Sequence, residues 1–383
     1  MRILIAPDKF KGTLSAREVG EAIAAGIREV LPDAKIDIVP MADGGEETAE
    51  VISEALGASW MKCKAHDPLN REIEARYGWI EKRKLAVMEM SEAAGMRRLK
   101  PAELNPEIAT TFGVGEMISC AGSQGADQII VGLGGSATND GGFGMARALG
   151  FRFYVGSKEL NGPIHELEKL TRIVAPSPAA SRLPLPEGEE RGEGNTTMEI
   201  IAAVDVRNPL LGENGATRIF GQQKGVTPDK VKEFERALTR LADVVADEFG
   251  FDHRNEPGAG AAGGLGFGLL SFCGAKIRPG FDVVAESVGL EQKIADVDLV
   301  ITGEGSLDRQ TLEGKTPAGV ARLARKVGKR VFAFVGRATE DREVRELFDG
   351  VYTNARPGMS EEENMKRAAE LLRENARKLA RNL

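Results

Sequence analysis

At 383 residues, with 42% apolar and 28% charged residues, the chain has a globular composition and exceeds one ordinary hydrophobic core, so two domains are expected. Its net charge of -7 argues against a nucleic-acid or anionic-membrane surface, and no run approaches the ~20 apolar residues of a membrane span. Three scattered cysteines without CxxC spacing give no zinc pattern and suit a reducing cytoplasm, and three isolated histidines leave acid–base work to carboxylates.

The chain opens as β-α-β. An apolar run at 3–6 is followed by SAREVGEAIAAGIREVL, which puts Val19, Ala22, Ile23, Ile27 and Val30 at helical spacing, with Ser15 and Glu18 as a capping box. A strand is expected at 36–41. Residues from about 60 to 100 hold the strand-like pieces REIEARYGWIE and LAVMEMS and the turn signal DPLN. IIVGLGGSATNDGG (129–142) is a strand running into a bend of glycines and small polar groups, a loop type whose backbone N–H groups can reach a phosphate. APSPAASRLPLPEGEERGEGNTT (175–197) has almost nothing large and apolar to bury and reads as a flexible surface insertion. AAVDVRNPLLG is a strand ending at Asp205, and TPDKVKEFERALTRLADVVADEFG is an amphipathic helix.

GAGAAG (258–263) matches G-x-G-x-x-G but follows HRNEP, not a strand, so a helix start or packing contact is the better reading. DLVITG, VFAFVG and GVYTN then read as buried parallel strands. TPAGVARLARKV is a helix with Thr316 as N-cap and Pro317 in its first turn, and SEEENMKRAAELLRENARKL closes the chain behind a Ser360–Glu363 capping box. Strand–helix alternation at both ends predicts an α/β protein. A doubly wound parallel sheet is assembled from 1–59 and 286–383, with a second α/β domain, 60–285, inserted.

Polar, glycine-bearing stretches follow four of the expected strands: PDKFKGTLS, ADGGEET, GEGSLDRQTLEGKT and GRATED. At the carboxyl ends of parallel strands such loops face a ligand crevice. Lys9 and Lys11 precede a capped helix N-terminus and suit a phosphate, as does Lys315. Asp43, Glu304 and Asp308 could hold Mg²⁺, and Gly44 and Gly45 let backbone N–H groups approach oxygens. In the middle of the chain, Gly134 and Gly135 offer backbone donors, Ser136 and Thr138 hydroxyls, and Asn139 and Asp140 polar or metal contacts. Asp205 beside Arg207 and Asn208 could bind and deprotonate a hydroxy acid. The preferred assignment gives the metal to Glu304 and Asp308, the base to Asp205, and phosphate to Lys9 and Lys11. EGKT resembles the end of a Walker A loop, but Arg309 stands where its first glycine should be, which rejects a P-loop.

Six motifs run in order over nearly the whole chain: APDKFKGTLSA, PMADGGE, VGLGGSATNDGG, DVRNPLLGENGAT, PGAGAAGGLGFGL and TGEGSLDRQTLEGKTP. Together they resemble the class I glycerate kinases, the bacterial glycerate 2-kinases. The resemblance implies a flavodoxin-like domain carrying an inserted α/β domain. It also implies ATP- and Mg²⁺-dependent phosphorylation of D-glycerate to 2-phosphoglycerate by a cytoplasmic enzyme with small-molecule partners, a homodimer being left open. Glu47 stands where the family has Gly, Gln222 where it has Pro, and the 175–197 insertion is foreign to typical members. The alternatives are an NAD-dependent oxidoreductase, which needs a glycine motif between a strand and a helix, and a non-catalytic sugar-acid-binding protein, which needs no metal site.

Overall fold

The computed structural model describes residues 1–177, 198–313 and 315–383, so the insertion expected at 175–197 lies, from residue 178 on, outside the described residues. The chain divides into two compact units, 1–43 with 279–383, and 44–278. These borders differ from the expected 59/60 and 285/286 because burial overrides chain order. Helix Thr48–Leu56 packs on strands Glu72–Ile80 and Leu85–Glu89 of the second unit, and helix Gly280–Ser287 packs on helix Thr316–Lys326 of the terminal unit.

In the terminal unit five strands follow one another along the chain: Arg2–Pro7, Lys35–Ile38, Leu299–Leu307, Arg330–Ala338 and Gly350–Thr353. Numbered one to five, they lie in the order 2-1-3-4-5 with every neighbouring pair parallel. This is the flavodoxin-like doubly wound order, whose switch point between strands one and three opens a crevice at their carboxyl ends. Ile3, Ile5, Leu299, Ile301 and Phe334 bury one face of the sheet against Val19, Ile23 and Ile27 of helix Ala16–Arg28 and Leu372, Ala376 and Leu379 of helix Ala368–Ala380.

The first helix starts where its capping box predicts. The Ser15 hydroxyl accepts from the Glu18 N–H at 3.3 Å and the Glu18 carboxylate from the Ser15 N–H at 2.8 Å. Three local expectations are corrected. The second strand ends at Ile38. The closing helix breaks at Arg367 into Glu361–Lys366 and Ala368–Ala380, although Ser360 does cap Glu363 at 3.1 Å. Lys315, not Thr316, is the N-cap of helix Thr316–Lys326, because the Thr316 hydroxyl donates to Asp8 Oδ2 at 2.6 Å instead.

The second unit carries a six-stranded sheet in the order Lys276–Pro279, Glu199–Val204, Gln128–Gly132, Leu85–Glu89, Glu72–Ile80, Ser59–His66. Glu199–Val204, Gln128–Gly132 and Leu85–Glu89 pair in parallel, while Ser59–His66 and Glu72–Ile80 form an antiparallel hairpin. The amphipathic helix Val231–Phe249 buries Phe234, Leu238, Leu241 and Val245.

Helix Ala261–Cys273 is interrupted by positive φ at Ala262, Gly263 and Gly264. A Cβ on Gly263 would sit 2.0 Å from the Thr138 carbonyl oxygen, and one on Gly268 would sit 2.7 Å from Gly142 Cα. The glycines of 258–268 are therefore a seam of backbone against backbone, pressed onto the loop after Gln128–Gly132, in line with the packing reading of that stretch. The other glycine motif, 132–137, does follow a strand, but the next helix begins only at Phe143, so neither has the dinucleotide-binding context.

Candidate active site

The carboxyl ends of the terminal unit's strands enclose a cavity of about 400 Å³. Lys9, Lys11, Asp43, Glu304 and Lys315, five of the residues expected in the site, line it together. Lys9 and Lys11 come from the loop after the first strand, Asp43 from the chain beyond the second, Glu304 from strand Leu299–Leu307 and Lys315 from the N-cap of helix Thr316–Lys326, as the switch-point geometry allows. Asp308 is not among the lining residues but stands beside them. Its backbone N–H donates to Thr311 Oγ1 at 3.2 Å, and that hydroxyl donates to Glu304 Oε1 at 2.9 Å. The short 3-10 helix Arg309–Glu313 thus fixes the orientation of the Glu304 carboxylate.

A further acid, Asp8, completes the group. It is the residue after the first strand, and only 8% of its surface is exposed. Its Oδ1 accepts the Lys9 N–H at 2.7 Å and its Oδ2 the Thr316 hydroxyl at 2.6 Å. Burial, followed by the charge of Asp43, raises its pKa well above the ordinary carboxylate value, against the lowering effects of Thr316 and Lys9. Burial likewise pushes Glu304 up to about 8. The Thr311 hydrogen bond and the Lys315 charge oppose this shift, and Asp8 and Asp308 add to it. Sequence reasoning missed Asp8 because an Asp after a strand is an ordinary turn residue, and its distinguishing partners, Asp43 and Thr316, are remote in the chain.

This donor set suits a hard divalent cation. Buried carboxylates that repel one another and resist ionisation are relieved by positive charge, and three lysines on the same wall complement phosphate oxygens.

The expected residues of the second unit fall into three places, none of them among the residues lining this cavity. Gly44, Gly45, Gly134 and Gly135 form a close backbone approach. Leu133 N–H donates to Gly44 O at 3.0 Å, and a Cβ on Gly134 would lie 2.5 Å from Gly45 Cα. At Glu47, where the resemblance leads one to expect Gly, φ is 73°, a conformation that an L side chain adopts at a penalty of roughly 1–2 kcal/mol.

Asp140 was expected as a polar or metal contact. It is 2% exposed, and its oxygens accept the N–H groups of Thr111, Gly142 and Gly144 at 2.9, 3.1 and 3.1 Å and the Thr111 hydroxyl at 2.9 Å. It organises its own loop. Asn139 is fully buried and donates to Thr217 Oγ1 at 2.9 Å, while the hydroxyl of Thr138 and Oδ1 of Asn139 have no hydrogen-bond partner among the described residues. Ser136 is buried too and bridges to Gly95.

Beneath this loop sits a second residue the sequence did not single out. Lys224 is 1% exposed and donates to the Thr138 carbonyl at 2.8 Å. Burial pulls its pKa down to about 7, with Asp140 working in the opposite direction. Flanked by Gln223 and Gly225, it carries no sequence signal that separates it from a surface lysine. Asp205 and Arg207 are exposed just past strand Glu199–Val204, and the Asn208 amide donates to Asn214 O at 2.8 Å.

Comparison with known proteins agrees across the whole chain. Residues 3–383 match the model of the glycerate kinase family. A glycerate kinase of Halalkalibacterium halodurans is 39% identical over 99% of this chain and 97% of its own, and the glycerate 2-kinase of Escherichia coli is 40% identical over 89% and 86%. A crystal structure from Salmonella typhimurium LT2, assigned as glycerate kinase 2, superposes with a TM-score of 0.83 at 38% identity, covering 100% of this chain and 98% of that one.

Proposed function

The chain belongs to the glycerate kinase family and phosphorylates glycerate, and on that premise we propose that it transfers the γ-phosphoryl group of ATP, with Mg²⁺, to the 2-hydroxyl of D-glycerate. The observation that supports this reading is the terminal unit's cavity, where buried acids of raised pKa, Asp8 and Glu304, share a wall with Lys9, Lys11 and Lys315. Phosphoryl transfer needs mainly positioning and charge neutralisation, and this wall supplies both.

In the proposed mechanism Lys9, Lys11 and Lys315 bind and orient the phosphate oxygens. Asp8, Asp43 and Glu304 would hold the cation, which supplies charge neutralisation to the phosphates, and Asp308 supports Glu304 through Thr311. In the second unit, Asp205 accepts the hydroxyl proton and Arg207 orients the glycerate carboxylate. The chain carries no helix long and apolar enough to cross a membrane among the described residues.

The test is incubation with ATP, Mg²⁺ and D-glycerate, followed by NMR identification of the product. 2-Phosphoglycerate is expected. 3-Phosphoglycerate would overturn the choice of hydroxyl, and an absence of ADP formation would overturn the reading as a whole.

A further inference from the structure

The second unit contains another cavity, of about 490 Å³, where strand Ser59–His66 ends and helix Phe112–Gln124 begins. Its wall includes Arg147 of helix Phe143–Ala148, whose guanidinium carbon lies 5.6 Å from the Phe112 ring centroid and 5.3 Å from that of Phe143. Stacked on two rings, this guanidinium has no hydrogen bond or ion pair with a described residue.

The carboxylates around it are already engaged. Asp140 is held by the N–H groups of Thr111, Gly142 and Gly144. Glu159 pairs with Arg152 at 2.6 Å, and Glu107, which lines the cavity, lies 3.5 Å from Lys230. A half-buried permanent cation without a bonded anion is costly to keep, and it is the group that recognises carboxylate and phosphate.

The same wall carries groups that read hydroxyls. His66 Nδ1 is 2.9 Å from Glu116 Oε1, and with the Nδ1 proton donated there Nε2 is left as an acceptor without a partner among the described residues. The side-chain amides of Asn70, held at φ 62°, and Asn161 also lack partners among the described residues.

We propose that this cavity binds a small hydroxylated anion, a hydroxycarboxylate or its phosphate ester, with the anionic group on Arg147 and a hydroxyl donating to His66 Nε2. Asn70 and Asn161 satisfy the remaining oxygens. The volume is in the usual range for small-molecule sites, and binding there requires neither nucleotide nor the terminal unit's cavity.

Three histidines make the test site-resolved. The full chain, labelled with ¹³C-histidine, is titrated without nucleotide with D-glycerate, 2-phosphoglycerate and inorganic phosphate in separate arms, and His66→Gln assigns its resonance. The His66 signal should move saturably with one of the two organic anions, at a Kd on the order of 1 mM or below. A shift with glycerate assigns the carboxylate form, and a shift with 2-phosphoglycerate alone assigns the ester. Arg147→Gln should weaken that response by about tenfold or more. The His253 signal should stay in place, showing that the variant is folded, and Lys11→Ala should leave the response intact. A His66 signal unmoved in every arm, an equal response in Arg147→Gln, or a response to inorganic phosphate as strong as to the organic anions would overturn the proposal.

Discussion

Both units place glycine-rich loops after parallel strands, and the two loops do different work. In the terminal unit the carboxyl end of strand Leu299–Leu307 lines an open cavity, and a Cβ on Gly305 would meet nothing closer than 3.7 Å. In the second unit the loop after Gln128–Gly132 is pressed against the backbone of 44–46 and 258–268, where added Cβ atoms would overlap neighbours at 2.0–2.8 Å. The acids diverge in the same way. Burial raises both pKa values, but other acids add to the shift at Glu304, which suits a cation, whereas the hydrogen-bond donors Thr111, Gly142 and Gly144 oppose it at Asp140. Glycine after a strand therefore marks close approach, and only the partner across the gap tells whether ligand or protein fills it.

The largest effect that sharpens this contrast is expected from Glu304→Gln. kcat/KM should fall on the order of 10²–10³-fold. Stability should move the other way with pH. A carboxyl whose pKa is about 8 when folded and 4.5 when unfolded contributes stability below about pH 4.5 that is lost as pH rises towards 8. The Gln variant should thus gain stability over the parent as pH is raised from 4.5 to 8, measured by denaturant titration. An unchanged kcat/KM would move the site elsewhere.

Next comes Gly263→Ala, which places a methyl 2.0 Å from the Thr138 carbonyl at φ 70° and should destabilise by about 3 kcal/mol. A Tm near that of the parent would show that the seam is loose. Lys9→Ala and Lys11→Ala should each lower kcat/KM by about tenfold, ~1.4 kcal/mol in the transition state, with little change in Tm. Steady-state kinetics unchanged in both would return these lysines to plain surface charge. The smallest change is expected for Gly305→Ala, within about 0.5 kcal/mol of the parent in stability, because the methyl meets only Lys11 N and Phe10 Cα, both at an ordinary contact distance of 3.7 Å. A loss comparable with that of Gly263→Ala would erase the distinction between the two loops.

Local signals were legible in the sequence, and distant ones were not. The Ser15–Glu18 box, the buried parallel strands and the amphipathic helix depend on spacing within a dozen residues, and the structure has them. Thr316 was misread as an N-cap because the partner that claims its hydroxyl, Asp8, stands at the other end of the chain. Asp8 and Lys224 escaped notice for the same reason, since burial is a property of the packed fold and not of their neighbours in sequence. Asn139 and Asp140 have the residue types of ligand groups, but small polar residues serve equally well to tie segments together, as they do here to Thr217 and to Thr111, Gly142 and Gly144.

The pairing of Arg2–Pro7 with Leu299–Leu307 has a consequence for biosynthesis. Arg2–Pro7, an interior strand of the terminal sheet, leaves the ribosome roughly 15–60 s before its neighbour Leu299–Leu307 at about 5–20 residues per second. Residues 44–278, by contrast, are continuous and emerge as one block. The second unit can therefore fold while translation proceeds, whereas Ile3, Leu4 and Ile5 must await Leu299–Leu307, an interval in which a chaperone has reason to attend the unpaired strand.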